Sequence, residues 1–125
     1  MSLTLHYCDD EPDIRELVAM ALDMDGRIAL TVHESGEALV EAVRGGARPD
    51  AFLLDVMMPG IDGPETLSRL RELPGGDAPA LFFTAHARSE ERERLMALGA
   101  RGVLTKPFDP MQLADDILAE LEPVR

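Results

Sequence analysis

Five short apolar runs alternate with five stretches of helical periodicity, and that alternation leaves few folds open to the chain. The runs are Leu3–Cys8, Ile28–Val32, Ala51–Leu54, Ala80–Thr84 and Gly102–Thr105. After the first, Ile14, Leu17, Val18, Ala21 and Leu22 recur at i, i+3, i+4, i+7 and i+8. That is an amphipathic helix with Pro12 in its first turn and Gly26 as its stop. Ser35 caps a second helix carrying Leu39, Val40 and Val43, halted by Gly45-Gly46. Pro64 opens a third with Leu67 and Leu70 inward, and Pro74-Gly75-Gly76 terminates it. The fourth begins near Ser89, pairs Glu90 with Arg94, and turns Leu95 and Leu98 to the core before Gly99. Asp109 caps the fifth, with Pro110 at its first position and Gln112 at the capping-box position. Leu113, Ile117, Leu118 and Leu121 form the buried stripe of that helix. Strand–helix pairs with no leftover segment predict an α/β fold of (βα)5 type. Its sheet is mostly parallel and doubly wound, with helices on both faces.

The length of 125 residues suits one domain, residues 1–125, with a core of its own. Aromatics are scarce, so that core is aliphatic. Cys8 is the only cysteine, which excludes an internal disulfide and fits a reducing compartment. No basic region precedes an apolar N-terminal stretch, and no apolar run approaches membrane-spanning length, so a cytoplasmic location is expected. The net charge of −12 opposes binding to nucleic acid or to anionic membranes, both of which require Lys and Arg to neutralise phosphate.

Function is written at the strand ends. In an open α/β sheet, ligands collect outside the carboxyl ends of the strands, where the winding reverses. For a strand order of 2-1-3-4-5 that point lies between strands one and three. Asp9 and Asp10 follow strand one, and Asp55 follows strand three. Thr84 and Lys106 end the next two strands. Carboxylates gathered so closely raise one another's pKa unless a divalent cation lies among them. An acidic trio, a hydroxyl and an ammonium form a site for Mg²⁺ and a phosphoryl group. Asp62 reads as a turn-former ahead of Gly63, and Met57-Met58 as packing apart from the Met57 backbone. His6 and His33 lack metal-ligand spacing and read as structural, and Cys8 as core.

Four segments carry a resemblance: Cys8-Asp9-Asp10-Glu11, Leu54 through Gly63, Phe83-Thr84-Ala85 and Leu104-Thr105-Lys106-Pro107-Phe108. Together they are similar to the receiver domain of two-component response regulators, of the single-domain chemotaxis-regulator kind, over the whole chain. The resemblance implies the flavodoxin-like order 2-1-3-4-5. It makes Asp55 the phosphoacceptor, which takes a phosphoryl group from a histidine kinase or a histidine phosphotransfer protein. Asp10, Asp55 and the Met57 carbonyl then hold Mg²⁺ directly, and Asp9 acts through water. Lys106 and Thr84 meet the phosphoryl oxygens with help from the Ala85 amide, and a cis Lys106–Pro107 peptide aims the ammonium inward. His86 takes the position that tunes how long the phosphate lasts.

In the family an aromatic residue on strand five follows Thr84 when the switch operates; that position is Val103 here. Movement of the loop after Thr84 and of helix four then carries the signal. Arg88, Arg92, Glu93 and Arg101 mark the output face toward a downstream protein target. Pro12 to Ile14 with Phe108 to Pro110 mark the phosphodonor's docking surface. A monomer or weak dimer is expected, standing alone or excised from a larger regulator or hybrid kinase. The chain reads as a switch that catalyses only its own phosphorylation and dephosphorylation. Two rivals share its features: a docking module that is never phosphorylated, and a haloacid-dehalogenase-type phosphatase. The phosphatase needs an acid two residues beyond its nucleophile, where Asp55 is followed by Met57.

Overall fold

Every residue of two consecutive apolar runs, β3 (Ala51–Asp55) and β4 (Ala80–Thr84), is buried, so both strands lie in the middle of a covered sheet. The computed structural model describes residues 2–86 and 88–122. Within them, β1 (Leu3–Cys8) and β2 (Ile28–His33) lie to one side of the central pair and β5 (Gly102–Thr105) to the other. The five strands run parallel in the order β2-β1-β3-β4-β5. Helices α1 (Pro12–Asp25), α2 (Gly36–Arg44), α3 (Gly63–Leu70), α4 (Ser89–Ala97) and α5 (Leu113–Leu121) complete the doubly wound α/β fold expected from the alternation.

Alternation along the strands divides the core in two. Cys8, Leu54 and Phe82 face one layer with Leu39, Leu67 and Leu95. Leu5, Tyr7, Leu53 and Phe83 face the other with Val18, Leu22, Leu113 and Ile117. Capping chemistry fixes where several helices begin and end. The Ser35 hydroxyl accepts the Ala38 amide at 3.0 Å, and Asp62 accepts the Glu65 amide at 2.9 Å. Gly26 ends α1 at φ +87°, its amide returning to the Leu22 carbonyl. Gly63 lets α3 approach the end of β3, where a Cβ would sit 2.5 Å from the Asp55 carbonyl oxygen.

Several expectations are corrected. Leu17 is 44% exposed, because the apolar stripe of α1 is wider than the face the sheet covers. Leu98 is 48% exposed, which leaves Leu95 as the buried anchor of α4. Arg94 pairs with Glu91 at 2.7 Å, one turn-neighbour closer than Glu90. Helix α3 stops at Leu70, well before Pro74, where its buried stripe runs out; Arg71 then clasps the Gly76 and Ala78 carbonyls at 2.7 Å each. Asp109 caps a separate turn, accepting the Met111 amide at 2.9 Å. The helical ladder of α5 starts only from the Gln112 carbonyl.

Candidate functional site

Parallel pairing brings the ends of β1, β3, β4 and β5 to one edge of the sheet. Asp9 follows β1 directly, its amide donating to the His33 carbonyl at 3.2 Å, and its side chain is fully buried. Asp55 closes β3 and is 4% exposed. With Asp10 and Glu11 they form a cluster in which one oxygen from each carboxylate lies within 4.8 Å of the others.

Lys106 enters directly after β5, and a cis peptide joins it to Pro107. Its Nζ lies 2.8 Å from Asp9 Oδ2, 3.3 Å from Asp55 Oδ1 and 3.6 Å from Glu11 Oε1. The same ammonium sits 5.2 Å from the centroid of the Phe83 ring. Asp9 collects further donors: the Tyr7 hydroxyl at 2.7 Å on Oδ2 and the Glu11 amide at 3.0 Å on Oδ1. Arg15 Nη1 holds the Asp9 carbonyl at 2.7 Å. Asp55 fares differently. Its Oδ1 receives the Met57 amide at 3.4 Å, and its buried Oδ2 has no partner among the described residues.

These surroundings separate the two acids. Burial works against charge on Asp9, but Lys106, Tyr7 and the Glu11 amide outweigh it and hold Asp9 below the usual carboxylate range. Burial and the charge on Asp9 push Asp55 up to about 7, against the pull of Lys106. Burial would lower Lys106, yet Asp9 and Asp55 raise it above its ordinary value. An orphaned buried oxygen amid four carboxylates and one ammonium fits a hard divalent cation bound through oxygen, as Mg²⁺ is.

A cleft of about 210 Å³ opens over Asp55, lined by Glu11, Met57, Thr84, Ala85, His86 and Lys106. Thr84 is buried at the end of β4, and its Oγ1 accepts the His86 amide at 3.0 Å, which leaves its own hydrogen free for an acceptor in the cleft. Ala85, His86 and Met57 are exposed on the rim. Val103 stands apart: it is buried in the core beside Phe82, and its carbonyl accepts Arg92 Nη1 at 3.2 Å. His6 and His33 bond each other, Nδ1 to Nε2 at 2.9 Å, and burial lowers both. Burial and then the charge on Asp55 push the Cys8 thiol up.

Sequence reasoning missed the parts played by Tyr7, Glu11, Arg15 and Phe83. Tyr7 was open to discovery, because residues two apart on a strand share a face and Tyr7 precedes Asp9 by two. Glu11 adjoins the acidic doublet. Nothing in the sequence marked Phe83 as the ring beneath an ammonium.

A family model described as response regulator receiver domain matches residues 5–118. The chain belongs to that family, the receiver domains of two-component response regulators. It is 41% identical over 106 residues to an uncharacterized 14.6 kDa protein of Leptolyngbya boryana, covering 84% of this chain and 79% of that one. It is 36% identical to the phosphate regulon transcriptional regulatory protein PhoB of Pseudomonas aeruginosa, over 94% of this chain and 51% of that protein. The chain thus spans only about half of that regulator's length. Among solved structures, the chemotaxis response regulator CheY4 of Vibrio cholerae superposes with a TM-score of 0.85 at 27% identity, over 97% of this chain and all of that one. FixJ-N superposes at 0.82 with 29% identity, over 100% and 98% of the two chains.

Proposed function

We propose that this chain is a phosphoacceptor switch in which Asp55 takes a phosphoryl group from a phosphohistidine of a histidine kinase or phosphotransfer protein. The observation that carries the reading is that Asp55, whose buried Oδ2 has no partner among the described residues, lines one cleft together with Thr84 and Lys106. An Asp55 oxygen attacks phosphorus, the P–N bond breaks, and its electron pair returns to the donor imidazole. Lys106 and the Thr84 hydroxyl meet the charge on the transferring oxygens, and the Ala85 amide is placed to assist. Asp10, Asp55 and the Met57 carbonyl would hold Mg²⁺, with Asp9 reaching it through water. The ion supplies charge neutralisation for the phosphoryl oxygens. His86 lines the cleft, and in this reading it sets the lifetime of the acyl phosphate.

Pro12 to Ile14 and Phe108 to Pro110 form the proposed donor-docking surface. The proposed output face is reduced by internal contacts: Arg92 reaches Glu120 at 3.8 Å, and Arg101 holds the Leu121 carbonyl at 3.0 Å. Arg88, Arg92, Glu93 and Arg101 all stay exposed, and Arg88 and Glu93 have no ion pair among the described residues.

Incubation with acetyl phosphate and Mg²⁺, read by intact mass, tests the proposal. A single phosphoryl adduct is expected on the native chain and none on Asp55→Asn. An unmodified native chain would leave a docking module. Sustained turnover of a generic phosphate ester that survives Asp55→Asn would point to the phosphatase.

A further inference from the structure

Tyr7 is fully buried near the C-terminal end of β1, in a core layer otherwise built mainly from aliphatic side chains and Phe83. A phenol hydroxyl in such surroundings is costly unless it is bonded. Its partner is the Asp9 carboxylate, 2.7 Å from the phenol oxygen. Tyr7 and Lys106 meet the same atom, Asp9 Oδ2, while the Glu11 amide meets Oδ1. The Tyr7 ring is itself packed against Phe83, with centroids 6.3 Å apart, and Phe83 underlies the ammonium.

We propose that Tyr7 is a positioning residue for the acidic site, its hydroxyl fixing the Asp9 carboxylate in the one orientation that serves both the cation and Lys106. The inference rests on the phosphoacceptor reading. Lys106 lies between Asp9 and Asp55, and a phosphoryl group on Asp55 draws the ammonium toward itself. Asp9 is then left buried with one fewer donor, a costly state for an ionised carboxylate. The Tyr7 hydroxyl remains on Oδ2 and keeps the carboxylate correctly turned. Among the described residues the Tyr7 hydroxyl has Asp9 as its hydrogen-bond partner, so the hydroxyl acts on the site through that side chain.

The sequence supplies a convenient probe, since Tyr7 is the only tyrosine and the chain has no tryptophan. Emission excited in the phenol absorption band, beyond that of the four phenylalanines, therefore comes from a side chain bonded to the site. Addition of Mg²⁺, and then of beryllofluoride as a phosphoryl mimic, is expected to change that emission. A silent signal in both cases would overturn the proposal, and this measurement needs no variant.

Tyr7→Phe keeps the ring and removes only the hydroxyl. Calorimetric titration should show its Mg²⁺ affinity weakened about 10-fold, the scale typical of losing a group that orients a metal ligand. The Mg²⁺ concentration for half-maximal acetyl phosphate labelling should rise in step, with the far-ultraviolet circular dichroism unchanged. Equal or tighter Mg²⁺ binding by Tyr7→Phe would overturn the role of Tyr7 alone. A native chain that binds no Mg²⁺ would overturn the phosphoacceptor reading and this inference together.

Discussion

Asp9 and Asp55 share one lysine, yet their charges are supported unequally. Asp9 has a phenol, an ammonium and a backbone amide on its two oxygens, whereas Asp55 has a longer contact with Lys106, the Met57 amide, and one bare oxygen. Burial and Asp9 therefore raise Asp55 to about 7, well above its value in an unfolded chain. The sign follows from linkage. As pH climbs past the unfolded value, the unfolded state loses a proton that the native state keeps, so this group reduces stability progressively up to about pH 7. In EDTA, Asp55→Asn should match the native chain near pH 4 and be the more stable protein at pH 8, by on the order of 1–3 kcal/mol. Urea unfolding at the two pH values measures this, and a difference that shrinks toward pH 8 would refute it. The gathering of Asp9, Asp10, Asp55, Thr84 and Lys106 at one edge was legible because each stands at or just past the end of a strand. The inequality between the acids was not legible, since it depends on Tyr7 and on which oxygen each donor selects.

Helix α4 is the least anchored of the elements around the cleft. Its apolar content is low, its first turn is rich in Glu, and Leu95 is its one buried side chain among the described residues. No side chain caps its N-terminus at Arg88. Leu95→Ala should therefore cost about 2–5 kcal/mol, the range for a buried leucine whose cavity cannot collapse. Leu98→Ala, at a half-exposed position, should lie within about 0.5 kcal/mol of the native chain. Chemical denaturation of both variants checks the contrast, and equal losses would show that α4 packs through both leucines. Periodicity alone assigned Leu95 and Leu98 the same role, because spacing defines a stripe but not how much of it the sheet covers. The same limit explains Leu17 on α1. Helix ends were legible where a side chain caps them, as at Ser35 and Asp62. They were misplaced where long-range contacts decide, as when Arg71 folds back onto Gly76 and Ala78.

For the whole molecule, charge sets the response to ions. Twenty-four acidic and twelve basic side chains leave a net −12, and four of the acids crowd one edge of the sheet. Added salt screens the general repulsion and raises stability modestly, whatever the cation. A cation bound in the acidic cluster adds a separate gain, because it binds the folded chain and not the unfolded one. At a free Mg²⁺ concentration tenfold above its Kd this gain is about 1.4 kcal/mol, which raises the melting temperature by roughly 5 °C for a domain of this size. Thermal melts in MgCl2 and in NaCl of equal ionic strength separate the two effects. The native chain should melt higher in MgCl2, while Asp10→Asn should melt alike in both salts. Native melts that coincide in the two salts would mean that the cluster acts only as general surface charge, and a magnesium response that survives Asp10→Asn would remove Asp10 from the ligand set.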